Sequence, residues 1–89
     1  MASHESAQKK QRQDRLRRQR NRSHLSRLRT ELKKVRDAIA RGDIDEARRR
    51  LPGTEATLDH SATLGIIHKN AAARTKSRIA RQVASLGRA

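Results

Sequence analysis

The chain has 89 residues and a formal net charge of +14, and it contains no cysteine and no aromatic Phe, Tyr or Trp. A chain of this length forms one small domain at most. The absence of cysteine excludes disulfide bonds and thiolate metal sites. Leucine, isoleucine and valine together number only 15, so we expect a thin core and marginal stability in isolation. No apolar run is long enough for a signal peptide or a membrane span, which favours a cytosolic protein with no membrane partner.

The positive charge is densest in residues 9–22, where eight of fourteen positions are Lys or Arg and Asp14 is the one acidic residue. Leu16 is the one sizeable apolar side chain there, so this segment cannot bury a core. Like charges at this density repel one another and attract a polyanion. We therefore predict that residues 1–22 are a basic, nucleic-acid-binding extension of the first helix. Without a ligand, this extension projects as a rod or frays into disorder.

The charge changes sign along the chain. Residues 1–42 carry a net +10, residues 43–65 a net −2 and residues 66–89 a net +6. Two basic segments thus flank a nearly neutral one. This distribution is expected if two elements face a polyanion and the middle element faces water.

Apolar residues recur at helical spacing in a stripe along one side of residues 23–41, which predicts the part of the first helix that packs in a core. The side chains of this stripe are Leu25, Leu28, Leu32, Val35 and Ile39. Gly42 should end the helix, and Asp43 with Glu46 three residues later is typical of the cap of a following helix.

Two further stripes predict helices over residues 44–64 and 67–86, closed by Gly65 and Gly87. The second stripe consists of Ile44, Ala47, Leu51, Leu58 and Ala62, and the third of His68, Ala72, Thr75, Ile79, Val83 and Leu86. Three amphipathic helices of similar length with short connections indicate an all-α, up-down-up three-helix bundle over residues 23–89.

Pro52 and Gly53 interrupt the second helical pattern. Proline removes one backbone hydrogen bond, and glycine adds backbone freedom. Either the helix bends, or it splits and restarts with Thr54 as the new cap. The stripe resumes at Leu58 in phase with Leu51, which favours a kink or a short break.

The residues do not form a recognisable catalytic or metal-binding pattern, so we predict no enzyme activity, no cofactor, no metal and no small-molecule substrate. The four histidines lack pair spacings that suit a metal on one helix face, and the nine carboxylates are scattered. Because His68 falls on the third apolar stripe, we expect it to be a packed residue with one hydrogen bond.

The absence of aromatic residues excludes recognition of bases by stacking on Phe, Tyr or Trp. Contacts to phosphate and sugar remain, and they favour the shape of a folded RNA over a base sequence. The candidate contacts in the first helix are Lys9, Lys10, Arg12, Arg15, Arg17, Arg18, Arg20, Asn21, Arg22 and Arg27. Those in the third segment are His68, Lys69, Asn70, Arg74, Lys76, Ser77, Arg78 and Arg81.

Residues 65–78 have the order Gly, two apolar residues, His-Lys-Asn, three alanines, then Arg-x-Lys-Ser-Arg. In this segment the chain resembles the S-twenty family, the twentieth protein of the bacterial small ribosomal subunit. The chain is similar to the same family in residues 6–10, in the Arg-rich run to Arg22, and in Ala38-Ile39 followed by Gly42-Asp43. The resemblance covers essentially the whole chain. Pro52-Gly53 departs from the family pattern, which usually runs as continuous helix there.

The resemblance implies a three-helix bundle with a long first helix that binds 16S rRNA directly. It also implies a structural role early in subunit assembly, beside other components of the small ribosomal subunit and with one copy per ribosome in the cytoplasm.

Two other classes of protein share parts of the pattern. A basic helix that runs into a leucine zipper would make a DNA-binding dimer, but the stripe ends at Gly42 after about two heptads, whereas zippers need three or four. A cationic helix on a membrane surface needs an apolar face, which residues 9–22 lack.

Overall fold

The computed structural model describes the backbone of residues 2–88 and the side chains of residues 6–88. Three helices account for most of this range: α1 (Ala2–Ala40), α2 (Ile44–Thr63) and α3 (Lys69–Arg88). No strand occurs among the described residues. The predicted all-α, three-helix bundle with a long first helix is therefore confirmed. The molecule is elongated, with extents of 68 × 20 × 15 Å.

Both turns of the bundle are built on a left-handed glycine, as the sequence predicts for Gly42 and Gly65. Gly42 has φ +71° and Gly65 has φ +74°. At the first turn the Asp43 N–H donates to the Ala38 carbonyl at 2.9 Å, and the Gly42 N–H donates to the Ile39 carbonyl at 3.0 Å. This pattern is the Schellman motif, which satisfies the last carbonyls of a helix and favours glycine at the left-handed position.

Asp43 caps the start of α2, as predicted. Its side-chain oxygen accepts a hydrogen bond from the Glu46 backbone N–H at 3.2 Å. The Glu46 carboxylate in turn accepts from Arg49 and Arg50 one turn further on. The hydrogen bond from Arg50, together with the charges of both arginines, lowers the pKa of Glu46 below its ordinary value.

Of the two possibilities left open at Pro52, a bend or a break, the break does not occur, because α2 runs unbroken from Ile44 to Thr63. Thr54 is a buried residue within the helix, and its hydroxyl donates to the Arg50 carbonyl at 3.1 Å. Pro52 lies on the exposed side of α2, where water can reach the Arg48 carbonyl that has lost its donor. A bend without a break at this point stays a prediction.

The core consists of two small clusters along the bundle axis. One contains Val35, Ala38, Ala47, Ile79 and Val83, near the α1–α2 turn. The other contains Leu28, Leu58 and Ala72, toward the α2–α3 turn. Most stripe residues named from the sequence are buried or half-buried in or beside these clusters, so the stripes were assigned to the correct faces.

Two expectations about α3 are wrong. His68 is exposed and lies before the helix, where its Nδ1 accepts from the Asn70 backbone N–H at 3.1 Å. It therefore makes the single expected hydrogen bond without being packed. Gly87 does not end α3, which continues to Arg88. A Cβ at Gly87 would lie 3.3 Å from Ile44 Cδ1 and 2.5 Å from Arg48 Nη2, so glycine lets α2 approach α3 closely.

The N-terminal part of α1 extends beyond the bundle. α1 has 39 residues, against 20 for each of the other helices, and at 1.5 Å per residue it is about 58 Å long against about 30 Å. Every side chain from residue 6 to 20 is exposed except that of Asp14, which is half-buried. Of the two forms expected for this extension, the structure has the helical rod.

Ile79→Ala should lower the free energy of unfolding by about 2–5 kcal/mol, because Ile79 is 2% exposed and the substitution leaves a cavity. Leu32→Ala should cost less within that range, since Leu32 is only partly buried against the core. Leu16→Ala is the matched control, with Leu16 60% exposed and an expected change within about 0.5 kcal/mol. Urea unfolding followed by circular dichroism measures all three; equal losses for Ile79→Ala and Leu16→Ala would contradict the assigned core.

Amides of residues 9–22 should exchange with solvent much faster than those of α2 in the free protein. This stretch of α1 has no packed partner, and its like charges at i, i+3 and i+4 oppose the helix. Hydrogen exchange, resolved by residue, measures the difference. Protection at residues 9–22 equal to that at the Leu58 amide would show that the helical rod is stable by itself.

Candidate nucleic-acid interface

One row of basic side chains follows the outer side of α1 from the extension into the bundle. Arg15, Arg18 and Arg22 are spaced by three and four residues, so they lie on one side of the helix, and all three are exposed. Further along α1, the same side of the helix carries three more exposed basic residues, Arg29, Lys33 and Arg36. The sequence prediction did not include these three. Their spacing of three and four residues is visible in the sequence and was sufficient to identify them.

A second row lies on the opposite side of the extension. Lys10, Arg17 and Arg20 are exposed and share one side of α1. Further along α1, this same side of the helix carries His24, which is half-buried, and Leu28, which is buried in the bundle. The second row therefore lies on the side that packs in the bundle, and it is accessible because no helix covers the extension.

No ion pair is described for these basic residues, although Asp14 lies beside Arg15 and Arg18. Among the described residues, the basic partners in ion pairs are Arg49, Arg50 and Lys76, none of which lies in α1. The other predicted contacts of the first helix, Lys9, Arg12 and Arg27, are also exposed. Asn21 differs from them: it is half-buried, and its Oδ1 is buried without a hydrogen-bond partner.

On α3 most of the predicted contact residues are exposed. Hydrogen bonds within the helix hold some of their side chains in place. Arg81 donates from Nη2 to the Ser77 hydroxyl at 2.9 Å and from Nε to the Ser77 carbonyl at 3.4 Å. Arg74 Nε lies 3.5 Å from the Asn70 carbonyl. Lys69 and Arg78 are exposed with no ion pair among the described contacts. Since α3 contains six basic and no acidic residues, its exposed surface is uniformly positive.

Lys76 is the exception among the predicted contacts of α3. Its Nζ lies 3.0 Å from both carboxylate oxygens of Asp59 in α2, and its side chain is 33% exposed. This is the one described ion pair that joins two helices. Its partners are 17 residues apart, so no local sequence pattern could have revealed it. Lys76 thus has a carboxylate partner before any nucleic acid binds.

Within the described part of the chain, no three His, Cys, Asp or Glu side chains are grouped so as to hold a metal ion. The same residues contain no helix that is both long and apolar enough to span a bilayer. The surface described here is instead a set of exposed guanidinium, ammonium and amide groups on α1 and α3.

The sequence profile described as ribosomal protein S20 matches residues 2–84 of the chain. The chain belongs to the ribosomal protein S20 family. The resemblance drawn from residues 65–78 is thus confirmed over nearly the whole length. As a member of this family, the chain is a structural constituent of the ribosome and not an enzyme, and its place is the cytoplasmic ribosome.

Curated members of the S20 family are similar over almost their full length. A protein of Desulfatibacillum aliphaticivorans, named small ribosomal subunit protein bS20, is 43% identical over 86 residues, which are 97% of this chain and 98% of the relative. The protein of the same name from Vibrio vulnificus is 46% identical over 86 residues, 97% and 100% of the two chains. That of Aquifex aeolicus is 47% identical over 73 residues, 82% and 78% of the two chains.

The contact between Lys76 and Asp59 should contribute a coupling free energy of about 0.2–1 kcal/mol to folding, because both groups are partly exposed. A double-mutant cycle of Lys76→Met and Asp59→Asn, followed by urea unfolding, isolates this coupling from the other effects of each substitution. Arg78→Met with Asp59→Asn is the matched control, since Arg78 is exposed and not paired with Asp59. A coupling no larger than in the control cycle would show that the ion pair does not hold α3 on α2.

Proposed function

We propose that the chain binds 16S rRNA directly and holds segments of it together while the small subunit assembles. The observation that carries this proposal is the pair of basic rows on opposite sides of the α1 extension, with no described carboxylate partner for their arginines. Such a helix has a high electrostatic energy alone, and the phosphates of an RNA backbone would relieve it.

The two rows favour contact with two RNA segments at once. Arg15, Arg18 and Arg22 face away from the side that carries Arg17 and Arg20, so one phosphate backbone cannot reach both sets. Two RNA segments on either side of the extension would repel each other without the intervening positive charge. The extension would therefore act as a clamp, with no bond made or broken.

α3 supplies a third basic surface, attached to the bundle. Its exposed arginines offer bidentate donors that fit phosphate oxygens. The bonds from Arg81 to Ser77 and from Arg74 to Asn70 restrict these side chains, which reduces the entropy lost on binding. Lys76 contributes less than its neighbours in this proposal, because a phosphate would have to displace Asp59.

Specificity would come from the fold of the RNA. The chain has no aromatic residue on which to stack a base, and its donors are mostly Arg and Lys, which suit phosphate and sugar. In this scheme residues 1–22 form the RNA-binding extension, and residues 23–89 form the bundle that fixes its direction and presents α3.

Affinity for 16S rRNA should fall steeply with salt. If six to ten phosphates are neutralised, the duplex-DNA rule gives a loss of about three to five decades between 50 and 200 mM salt, and folded RNA should give a somewhat shallower slope. Arg74→Ala and Arg78→Ala should each make the slope shallower by roughly one unit or less, with the helicity of the free protein unchanged. Filter binding over a salt series, paired with circular dichroism, measures both.

Cross-linking in cell lysate identifies the partner independently of the salt measurement. We expect small-subunit rRNA to be recovered, and more of it than with a variant in which Arg15, Arg18 and Arg22 are replaced by Gln. Recovery of DNA would favour the basic-zipper alternative instead. If rRNA is recovered but the affinity does not depend on salt, rRNA is still the partner and the electrostatic mechanism is excluded.

A further inference from the structure

One side of α1 carries six exposed basic residues that continue from the extension into the bundle. This outer row consists of Arg15, Arg18, Arg22, Arg29, Lys33 and Arg36. Neighbours in the row are three, four or seven residues apart, so at about 100° per residue all six lie within about 60° around the helix axis. From its first residue to its last the row is about 32 Å long. It is therefore one straight positive surface that begins on the extension and ends on the bundle.

The charges of the outer row fall into two groups of three, with a gap between them. The first triad is Arg15, Arg18 and Arg22, and the second triad is Arg29, Lys33 and Arg36. Each triad extends over about 10 Å of helix, and the gap from Arg22 to Arg29 is also about 10 Å. On this side of α1 the gap is occupied by a hydroxyl patch of Ser23, Ser26 and Thr30, all exposed. The order along the row is thus charge, hydroxyl, charge.

The three hydroxyls of this patch can each make a further hydrogen bond. Ser23 Oγ donates to the Gln19 carbonyl at 3.2 Å. Thr30 Oγ1 donates to the Ser26 carbonyl at 3.0 Å, so both oxygens can still accept. No hydrogen bond is described for the Ser26 hydroxyl, which can therefore both donate and accept. A ribose 2′-hydroxyl is also both a donor and an acceptor, and it distinguishes RNA from DNA. The patch between the triads therefore offers partners that suit RNA.

Two carboxylates lie at the edges of the outer row. Asp14 lines the same depression as Arg15 and Arg18, and Asp37 follows Arg36 in the sequence. Neither is a partner in a described ion pair. Six basic and two acidic residues leave this side of α1 with a net charge of +4. The row therefore attracts a polyanion along its length.

A straight row with a central gap fits a double helix better than a single strand. A duplex presents its phosphates as two ridges separated by grooves, which are about 6 and 12 Å wide in B-form DNA. The gap of about 10 Å between the triads falls within this range. A single strand has no such ridges, and proteins hold it largely by stacking its bases on aromatic residues, of which this chain has none. Each triad can therefore reach one phosphate ridge of a duplex.

We propose that the outer row of α1 binds double-helical RNA across a groove. One triad contacts the phosphates of each strand, and the hydroxyl patch faces the 2′-hydroxyls between them. The wide, shallow minor groove of A-form RNA displays these hydroxyls, so it is the groove that the patch fits. This assignment rests on the proposed function, because it names the form of RNA that one basic row binds. It adds Arg29, Lys33 and Arg36 to the contact residues and makes the bundle part of the same surface.

Binding of a short RNA duplex at several salt concentrations tests the second triad. The row covers about nine base pairs at about 3.4 Å each, so a blunt duplex of about twelve base pairs spans it. Arg29→Gln with Lys33→Gln should make the salt slope shallower by about two units or slightly less, because two phosphate contacts are lost. Arg27→Gln with Lys34→Gln is the matched control, since it also removes one exposed Arg and one exposed Lys from α1, but from another side. Its slope should stay close to that of the wild type.

Circular dichroism of both paired variants should show unchanged helicity, since all four residues are exposed. An equal change of slope in the two variants would overturn the assignment of the outer row. A single RNA strand of the same length should bind more weakly than the duplex. Tighter binding of the single strand would overturn the choice of a duplex.

Ser26→Ala tests the hydroxyl patch, and alanine keeps the helix. The affinity for the RNA duplex should fall about two- to tenfold, the value of one hydrogen bond, while the affinity for a DNA duplex of the same sequence stays unchanged. Thr63→Ala, which removes an exposed hydroxyl from the nearly neutral α2, is the matched control and should change neither affinity. An equal loss for RNA and DNA, or no loss for RNA, would overturn the contact with the 2′-hydroxyls.

The two proposals can fail separately. If the chain binds 16S rRNA but both paired variants behave alike, the outer row is not a duplex site and the proposed function stands. If the chain does not bind 16S rRNA at all, the proposed function is wrong and the duplex site falls with it.

Discussion

The architecture depends on one electrostatic constraint: two strongly basic helices have to share a bundle. α3 contains six basic residues and no acidic one, and α1 contains thirteen basic residues against four acidic. Direct packing of two such helices would place like charges together in a medium that screens them poorly. α2, with three basic and four acidic residues, packs extensively against both, whereas the backbones of α1 and α3 approach each other less, although side chains of both lie in each core cluster. The nearly neutral helix therefore supplies most of the packing that holds the two basic helices in one bundle.

This role of α2 accounts for where its acidic groups lie. Asp43 caps the helix, Glu46 neutralises Arg49 and Arg50, and Asp59 binds Lys76 of α3. Each carboxylate removes positive charge close to the core. The charge without a described ion pair lies on the extension, on the outer side of α1 within the bundle and on the exposed surface of α3. Folding and the proposed RNA binding thus use different parts of the charge distribution.

The helices, their caps and most of the buried face follow from the sequence, because large apolar residues at helical spacing and glycines at the turns are strong local signals. Ala38, Thr54 and Ser61 are buried but were not predicted, since small and polar residues add little to an apolar stripe. Thr54 can be buried because its hydroxyl bonds to the Arg50 carbonyl. Pro52 does not break α2, which is continuous from Ile44 to Thr63, and the buried Ala47, Thr54 and Leu58 pack both before and after the proline.

The candidate site likewise has one part that the sequence predicts and one part that it does not. The exposure of the arginines in residues 9–22 was predictable, because nothing in that segment could pack. The ion pair of Lys76 with Asp59 and the ring contact of His24 with His60 were not, since each joins residues that only the fold brings together. Both contacts involve α2, the helix that packs most extensively against the other two. A substitution on α2 can therefore change where the basic surfaces point without removing a single positive charge. In the proposed recognition of RNA by its shape, the direction of those charges matters as much as their number.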